Sequence, residues 1–192
     1  MNHDARGTAD LPHGSPATAE DEAEAARQLG REARGMIGVA WRCPCGRPGV
    51  VLSAPRLADG TPFPTTYYLT CPRAVAACSR LEAHGVMAEM SARLAADQAL
   101  ARDYAAAHAA YLADRARLGE VAEIAGVSAG GMPERVKCLH ALVGHALAVG
   151  PGVNPLGDEA VALIGRFWEP DCGDDTPTRH RRRRRAPEGR TE

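Results

Sequence analysis

The segment GGMPERVKCLH, from Gly130 to His140, most constrains how this chain can fold. Its two glycines allow backbone conformations that other residues avoid, and the proline after them is typical of the first turn of a helix. The sequence therefore predicts a helix that begins near Pro133 and ends at about Gly150. Along a regular helix Cys138 and His140 point to nearly opposite sides, so most co-ligands of a metal bound by Cys138 should come from other segments.

The rest of the chain indicates an α+β fold. Aromatic residues make up only 4% of the sequence, so the core should consist mainly of Ala, Leu and Val, and abundant alanine favours helices. The segments rich in strand-forming residues are Met36–Trp41, Val50–Leu52 and Thr66–Thr70. Start signals, apolar periodicity and stop signals predict helices over residues 18–34, 72–85, 86–96, 97–117 and 158–167. We therefore expect a small antiparallel three-stranded sheet packed with several helices.

The 192 residues fit one domain between two tails. Residues 1–16 and 169–192 have the polar, Gly- and Pro-bearing composition of disordered segments, and residues 17–168 form the predicted α+β domain. The second tail carries the run Arg181–Arg185, which we interpret as part of a solvated tail whose removal with residues 170–192 should leave the domain folded. Residues 36–165 hold 11 basic and 11 acidic residues, so no sequence-specific binding of nucleic acid is expected.

The chain shows neither an N-terminal apolar region typical of a signal peptide nor an apolar run of about 18 residues. These features predict a cytoplasmic protein without membrane insertion. Because thiols stay reduced in that compartment, the six cysteines are better interpreted as ligands, reactive thiols or small buried side chains than as disulfides.

Cysteines from separate segments provide the first candidate site. Two of them fall in the predicted hairpin turn, a third where a strand becomes a helix, and a fourth in the segment described first. Thiolates and imidazoles suit zinc or an iron–sulfur cluster. The candidate ligands are Cys43, Cys45, Cys71 and Cys138, with His140, His145 and His108 in reserve. Cys78 and Cys172 are interpreted as incidental, and the alternative for the whole set is that the thiols are merely buried.

A second hypothesis makes Cys71 a reactive thiol. It precedes a predicted helix whose dipole would lower the pKa of the thiol, and Arg73 or Lys137 could assist. Lys137 is the only lysine, since 22 of the 23 basic residues are arginine. A histidine, His140 or His145, would have to serve as the base.

Several motifs together resemble a bacterial family of uncharacterised proteins, domain of unknown function 501. The motifs are Arg42-Cys43, Asp59–Thr65, Tyr67–Pro72, Ser79–Glu82, Gly130–Pro133, Arg135–His140 and Asn154-Pro155. The resemblance covers about residues 20–165. It favours a site of Cys43, Cys71 and Cys138 with His140 or with an open coordination position, and an open position would permit catalysis. Lys137, His140 and Cys71 are then the candidate catalytic residues.

Two functions remain open at this point. The first is a metal- or iron–sulfur-binding protein, which an open coordination position would make an enzyme. The second is a non-catalytic interaction or regulatory protein with structural cysteines. Family members are often encoded beside a septum-formation initiator and an exopolyphosphatase-like protein, so the resemblance implies partners in cell division or the envelope for the second function.

Overall fold

The computed structural model of the protein describes residues 11–169 and residue 172. Within that part of the chain, six α-helices and a four-stranded antiparallel sheet form an α+β fold. The strands, in their spatial order, are β1 (Ser15–Pro16), β2 (Met36–Arg42), β3 (Pro48–Ser53) and β4 (Tyr67–Leu69). The helices are α1 (Ala19–Leu29), α2 (Pro72–Ala83), α3 (Val86–Ala96), α4 (Gln98–Leu118), α5 (Leu139–Val149) and α6 (Pro155–Ile164), with a short 3-10 turn at Ala122–Ile124. None of these helices is long and apolar enough to cross a membrane.

The sheet has four strands where the sequence predicted three. The added strand β1 pairs Ser15 with Val39 and Pro16 with Gly38. It lies inside residues 1–16, which were predicted to be disordered, and two residues are too few to show the alternation that marks a strand. Residues 1–10 of that segment, and residues 170–171 and 173–192 of the second predicted tail, lie outside the described residues.

Both faces of the sheet are covered by other parts of the chain. Alternate side chains of β3 point to opposite faces and therefore enter two different cores. Val50 and Leu52 belong to the main core beneath the later helices, whereas Val51 packs with Ala25 of α1 in a smaller core. All six residues of β3 are therefore buried. On the main-core side, α5 packs tightly against β4, since a Cβ at Gly144 would lie 3.0 Å from the carbonyl oxygen of Tyr67.

Local capping explains most helix boundaries. Thr18 and Asp21 form a capping box at the start of α1, as its sequence predicted, but the helix ends at Leu29 with the left-handed Gly30 and does not extend to residue 34. Pro72 opens α2 as expected. The last helix begins earlier than predicted, because the side chain of Asn154, rather than that of Asp158, caps its first turn.

The predicted helix start near Pro133 is wrong, because α5 begins at Leu139. Two backbone N–H groups that precede α5 form hydrogen bonds outside any helix. The N–H of Lys137 donates to the carbonyl of Gly130 (2.7 Å), and the N–H of Val136 donates to Ser91 Oγ (3.1 Å). These bonds hold residues 134–138 outside the helix. Cys138 therefore becomes the N-cap residue of α5, with an extended backbone.

Candidate functional site

The turn between β2 and β3 carries two cysteines. Its backbone is closed by hydrogen bonds from the N–H of Cys43 to the carbonyl of Arg47 (2.9 Å) and from the N–H of Gly46 to the carbonyl of Cys43 (2.7 Å). Cys43 Sγ accepts a hydrogen bond from the backbone N–H of Cys45, and Cys45 Sγ accepts one from the N–H of Arg47. N–H donors aimed at sulfur favour the thiolate form, which is the form that binds metals.

Strand β4 brings Cys71 to the same end of the sheet. The backbone N–H groups of Thr70 and Cys71 both donate to the carbonyl of Gly49 in β3, at 2.9 and 3.3 Å. Cys71 Sγ in turn accepts hydrogen bonds from the backbone N–H groups of Arg73 and Ala74, at the N-terminus of α2. The third cysteine is thus also surrounded by donors that suit a thiolate.

Cys172 completes this arrangement from the far end of the described chain. Its sulfur lies 3.4 Å from Cys43 Sγ, and the sulfurs of Cys43, Cys45 and Cys172 all lie within 4.8 Å of one another. Cys71 lines the same pocket as these three. Arg47 anchors the segment, because its Nη1 donates to the carbonyl of Cys172 at 3.0 Å. We call Cys43, Cys45, Cys71 and Cys172 the four-cysteine group.

Burial and local charge shift the pKa values of these thiols in opposite directions. Burial raises the pKa of Cys43, Cys71 and Cys172 above the ordinary range of a thiol. Burial opposes ionisation of Cys45 too, but the N–H of Arg47, the neighbouring thiols and the Arg47 charge bring its pKa below the usual value. Without a cation the group holds mostly neutral thiols, and a bound cation would convert them to thiolates.

A second group forms where the end of α2 meets the start of α5. Cys138 Sγ lies 3.8 Å from His140 Nδ1, and Glu82 Oε1 lies 3.1 Å from the same nitrogen. Glu82 Oε1 also accepts the backbone N–H of Leu139 at 2.8 Å. The ligand atoms of Glu82, Cys138 and His140 lie within 4.8 Å of one another, so this group also has the spacing of a metal site. We call these three residues the thiol–imidazole group.

The thiol–imidazole group contains an ion pair. The hydrogen bond to Cys138, assisted by the charge of Glu82, raises the pKa of His140 to about 9. Burial alone would raise the pKa of Cys138, but the hydrogen bonds from His140 and from the backbone N–H of Ala141 lower it below the ordinary value. These shifts favour a thiolate next to an imidazolium.

Comparison with known proteins identifies the family. The family described as protein of unknown function (DUF501) matches residues 39–162. The chain belongs to the DUF501 family. No curated protein and no solved structure matches the chain. The matched residues contain Cys43, Cys45, Cys71 and the whole thiol–imidazole group, whereas Cys172 lies beyond them.

In this DUF501 protein the predicted ligands fall into two groups. Cys43, Cys45 and Cys71 line one pocket, while Cys138 and His140 lie with Glu82. The mutual proximity of Cys138 and His140 contrasts with the expectation for a regular helix, because Cys138 precedes α5.

The reserve histidines occupy other surroundings. His145 is fully buried between Tyr67 and Tyr111, and its Nδ1 accepts a hydrogen bond from Asn154 Nδ2 at 3.1 Å. His108 Nδ1 lies 2.9 Å from Ser128 Oγ. The side chain of Lys137, a candidate catalytic residue, is exposed.

Sequence reasoning did not single out two members of these groups. Cys172 was interpreted as incidental because it sits in a polar tail, far in sequence from the other cysteines. In the sequence, Glu82 stands out only as part of a family motif. A carboxylate near the end of a helix can face the start of another helix, but no spacing rule pairs Glu82 with His140, 58 positions further along the chain.

Proposed function

We propose that this DUF501 protein binds one zinc ion through the four-cysteine group, and that the ion has a structural role. Four thiolates form a closed tetrahedral set, which is typical of structural rather than catalytic zinc. The observation that carries the proposal is that the sulfurs of Cys43, Cys45 and Cys172 lie within 4.8 Å of one another, while Cys71 lines the same small pocket.

The spacing of the sulfurs supports a single ion. With zinc–sulfur bonds of about 2.3 Å, the sulfurs of a tetrahedral site lie about 3.8 Å apart. The 3.4 Å between Cys43 and Cys172 needs only a small expansion to reach that value. The distance also exceeds by far a disulfide bond of about 2.05 Å, and both thiols are free.

The size of the pocket favours a mononuclear ion over an iron–sulfur cluster. The space beside the four thiols is about 10 Å³, which holds roughly one water-sized sphere. A cluster of several irons and bridging sulfides would require the ligands to move apart. Zinc rather than iron–sulfur is therefore the cofactor that we propose.

Cations around the pocket support the same conclusion. Zinc with four thiolates carries two negative charges, and burying such a charge is costly unless positive groups lie nearby. Arg27, Arg47 and Arg73 all line the pocket. The charges of Arg47 and Arg73 favour the thiolate forms of Cys45 and Cys71 respectively.

The proposal is tested by metal analysis of full-length protein purified without oxygen. We expect one zinc per chain and, after exchange with cobalt, the near-ultraviolet charge-transfer absorbance of thiolate-bound cobalt. Cys172→Ser removes one ligand and should weaken zinc binding more than about 100-fold, since loss of a mere supporting contact already costs 10–100-fold.

Cys78→Ala is the matched control, because Cys78 is fully buried in the main core and lies outside the pocket. It should keep wild-type zinc content. Protein without stoichiometric metal would overturn the proposal, as would unchanged zinc affinity in Cys172→Ser. A brown iron-containing protein that bleaches in air would replace zinc with an iron–sulfur cluster.

A further inference from the structure

The hydrogen bonds of His140 fix which of its nitrogens can receive a proton. Nε2 lies 3.2 Å from the carbonyl oxygen of Val75 and 3.3 Å from Ser79 Oγ. A carbonyl only accepts, so Nε2 carries the hydrogen in the neutral ring. Nδ1, which faces Cys138 Sγ and Glu82 Oε1, is therefore the nitrogen that takes up a proton from the thiol.

Glu82 is held in place to orient this ring. Its Oε1 accepts the backbone N–H of Leu139, so the carboxylate is tied to the first turn of the helix that also carries His140. From there it accepts a hydrogen bond from Nδ1 of the protonated ring at 3.1 Å and stabilises the imidazolium. A nucleophile, a base within reach and a third group that orients the base are the parts of an activated cysteine.

Cys138 differs from the other helix-associated thiols in exposure and ionisation. Cys71 and Cys78 are buried, and burial raises the pKa of both thiols. Cys138 is partly exposed and receives the N–H of Ala141 from the first turn of α5. Its sulfur can therefore meet a reactant from solvent.

A groove beside the sulfur indicates what kind of reactant fits. It has a volume of about 310 Å³, and Cys138 and His140 form part of its wall. Most of the remaining wall is apolar or aromatic, including Tyr68, Leu69 and Val75. Among the described residues, neither lysine nor arginine lines the groove, so it suits an uncharged apolar chain better than a phosphate or another strongly anionic group.

We propose that Cys138 is a catalytic nucleophile that takes an acyl group from an ester or thioester whose apolar chain lies in this groove. The Sγ–carbon bond forms as the bond from the acyl carbon to the leaving oxygen or sulfur breaks. The leaving group keeps that electron pair and receives the Nδ1 proton of His140. Water then attacks the Cys138 thioester, returns its proton to Nδ1 and releases a carboxylic acid and the thiolate.

The test uses full-length protein purified without oxygen and p-nitrophenyl hexanoate. We expect a burst of about one equivalent of p-nitrophenolate, a transient hexanoyl adduct on Cys138 by peptide mapping, and slower acylation by p-nitrophenyl acetate. His140→Asn should slow acylation about 100-fold or more, in keeping with the loss of a general base. Glu82→Gln should slow it less and shift its pH profile, because Glu82 is a positioning residue.

Two controls keep the result independent of folding and of the zinc proposal. Cys78→Ala removes a buried thiol of the main core, and the variant should be acylated at the wild-type rate. In the unaltered protein, iodoacetamide should modify Cys138 at pH 6 roughly tenfold or more faster than a free thiol with a pKa of about 8.5. The thiol–imidazole group shares no residue with the four-cysteine group, so either proposal can fail alone.

Three outcomes would overturn the inference. The first is acylation of other residues with Cys138 unmodified. The second is alkylation of Cys138 no faster than that of a free thiol. The third is a second zinc ion per chain that protects Cys138 from both reagents, which would make the thiol–imidazole group a metal site.

Discussion

Asp21 shows how a single side chain joins local and long-range structure. Its carboxylate accepts the backbone N–H of Thr18 and closes the capping box of α1, and it also binds both terminal nitrogens of Arg42, at 2.7 and 2.8 Å. The hydrogen bond from Arg42 is the main reason that the pKa of Asp21 falls to about 2. This bidentate pair ties the start of α1 to the end of β2, next to the cysteine-bearing turn.

The first prediction concerns the charge of Asp21. Asp21→Asn keeps an oxygen for the cap but loses the ion pair, so the free energy of unfolding at pH 7 should fall by on the order of 1–2 kcal/mol, allowing for the partial exposure of Arg42. The folded-state pKa is below the ordinary 3.8, so the stabilisation is present above pH 3.8 and is lost as pH falls towards 2. Denaturant unfolding across this pH range measures it.

Glu123→Gln is the matched control for this experiment. Glu123 also binds an arginine, Arg56, at 2.7 Å, but both side chains are about half exposed. Exposed ion pairs contribute little because water and salt screen them, so the variant should unfold like the wild type. Equal losses in the two variants would show that the charge of Asp21 has no special role.

At the scale of elements, α5 and α6 form a tightly packed pair. A Cβ at Gly157 would lie 2.7 Å from the carbonyl oxygen of Leu142, so only glycine permits this approach. Asn154, fully buried between the two helices, caps α6 through the N–H of Gly157 (2.9 Å) and donates its amide to His145 (3.1 Å). Burial keeps His145 neutral, with its pKa lowered to about 4.

The second prediction separates the two roles of Asn154, which are the cap of α6 and the hydrogen bond to His145. Asn154→Ala loses the cap and leaves His145 Nδ1 without its donor, which should cost roughly 2–3 kcal/mol. Asn154→Asp keeps the cap but places a carboxylate against His145 Nδ1. Its loss of unfolding free energy relative to the wild type should therefore shrink as acid protonates His145. Asp97→Ala, which removes the exposed cap of α4, is the control and should cost about 1 kcal/mol. An Asn154→Asp variant with pH-independent cost would contradict the contact with His145.

Some helix and strand boundaries can be predicted from the sequence, and others cannot. The capping box at Thr18, Pro72 at the start of α2 and the three longer strands follow from local signals, and the structure confirms them. The start of α5 does not, because the glycines and proline that resemble a helix start instead form a turn closed by Lys137 and Gly130. That displacement brings Cys138 beside His140, a pairing that helical periodicity argues against.

At the scale of the whole molecule, the four-cysteine group joins the hairpin turn, the start of α2 and the far end of the described chain. Cys43 and Cys172 are 129 positions apart, so their 3.4 Å contact is a product of tertiary folding alone. The sequence identified the hairpin and strand-end cysteines as candidates because their local positions are restrained. It could not identify Cys172, since no local pattern marks where a polar segment returns to the fold.

Two truncations test whether Cys172 fastens the end of the described chain to the hairpin turn through a metal ion. Both remove the arginine run, but a chain that ends at residue 173 keeps Cys172, whereas one that ends at residue 171 loses it. If zinc at about 100 times its Kd adds about 2.7 kcal/mol, the longer chain should melt roughly 5–10 °C higher when zinc is present, and a chelator should remove most of the difference. Because the two chains differ by two residues, loss of charge cannot explain the result. Equal melting temperatures with and without zinc would mean that Cys172 contributes no ligand and that the metal, if bound, does not fasten this end of the protein.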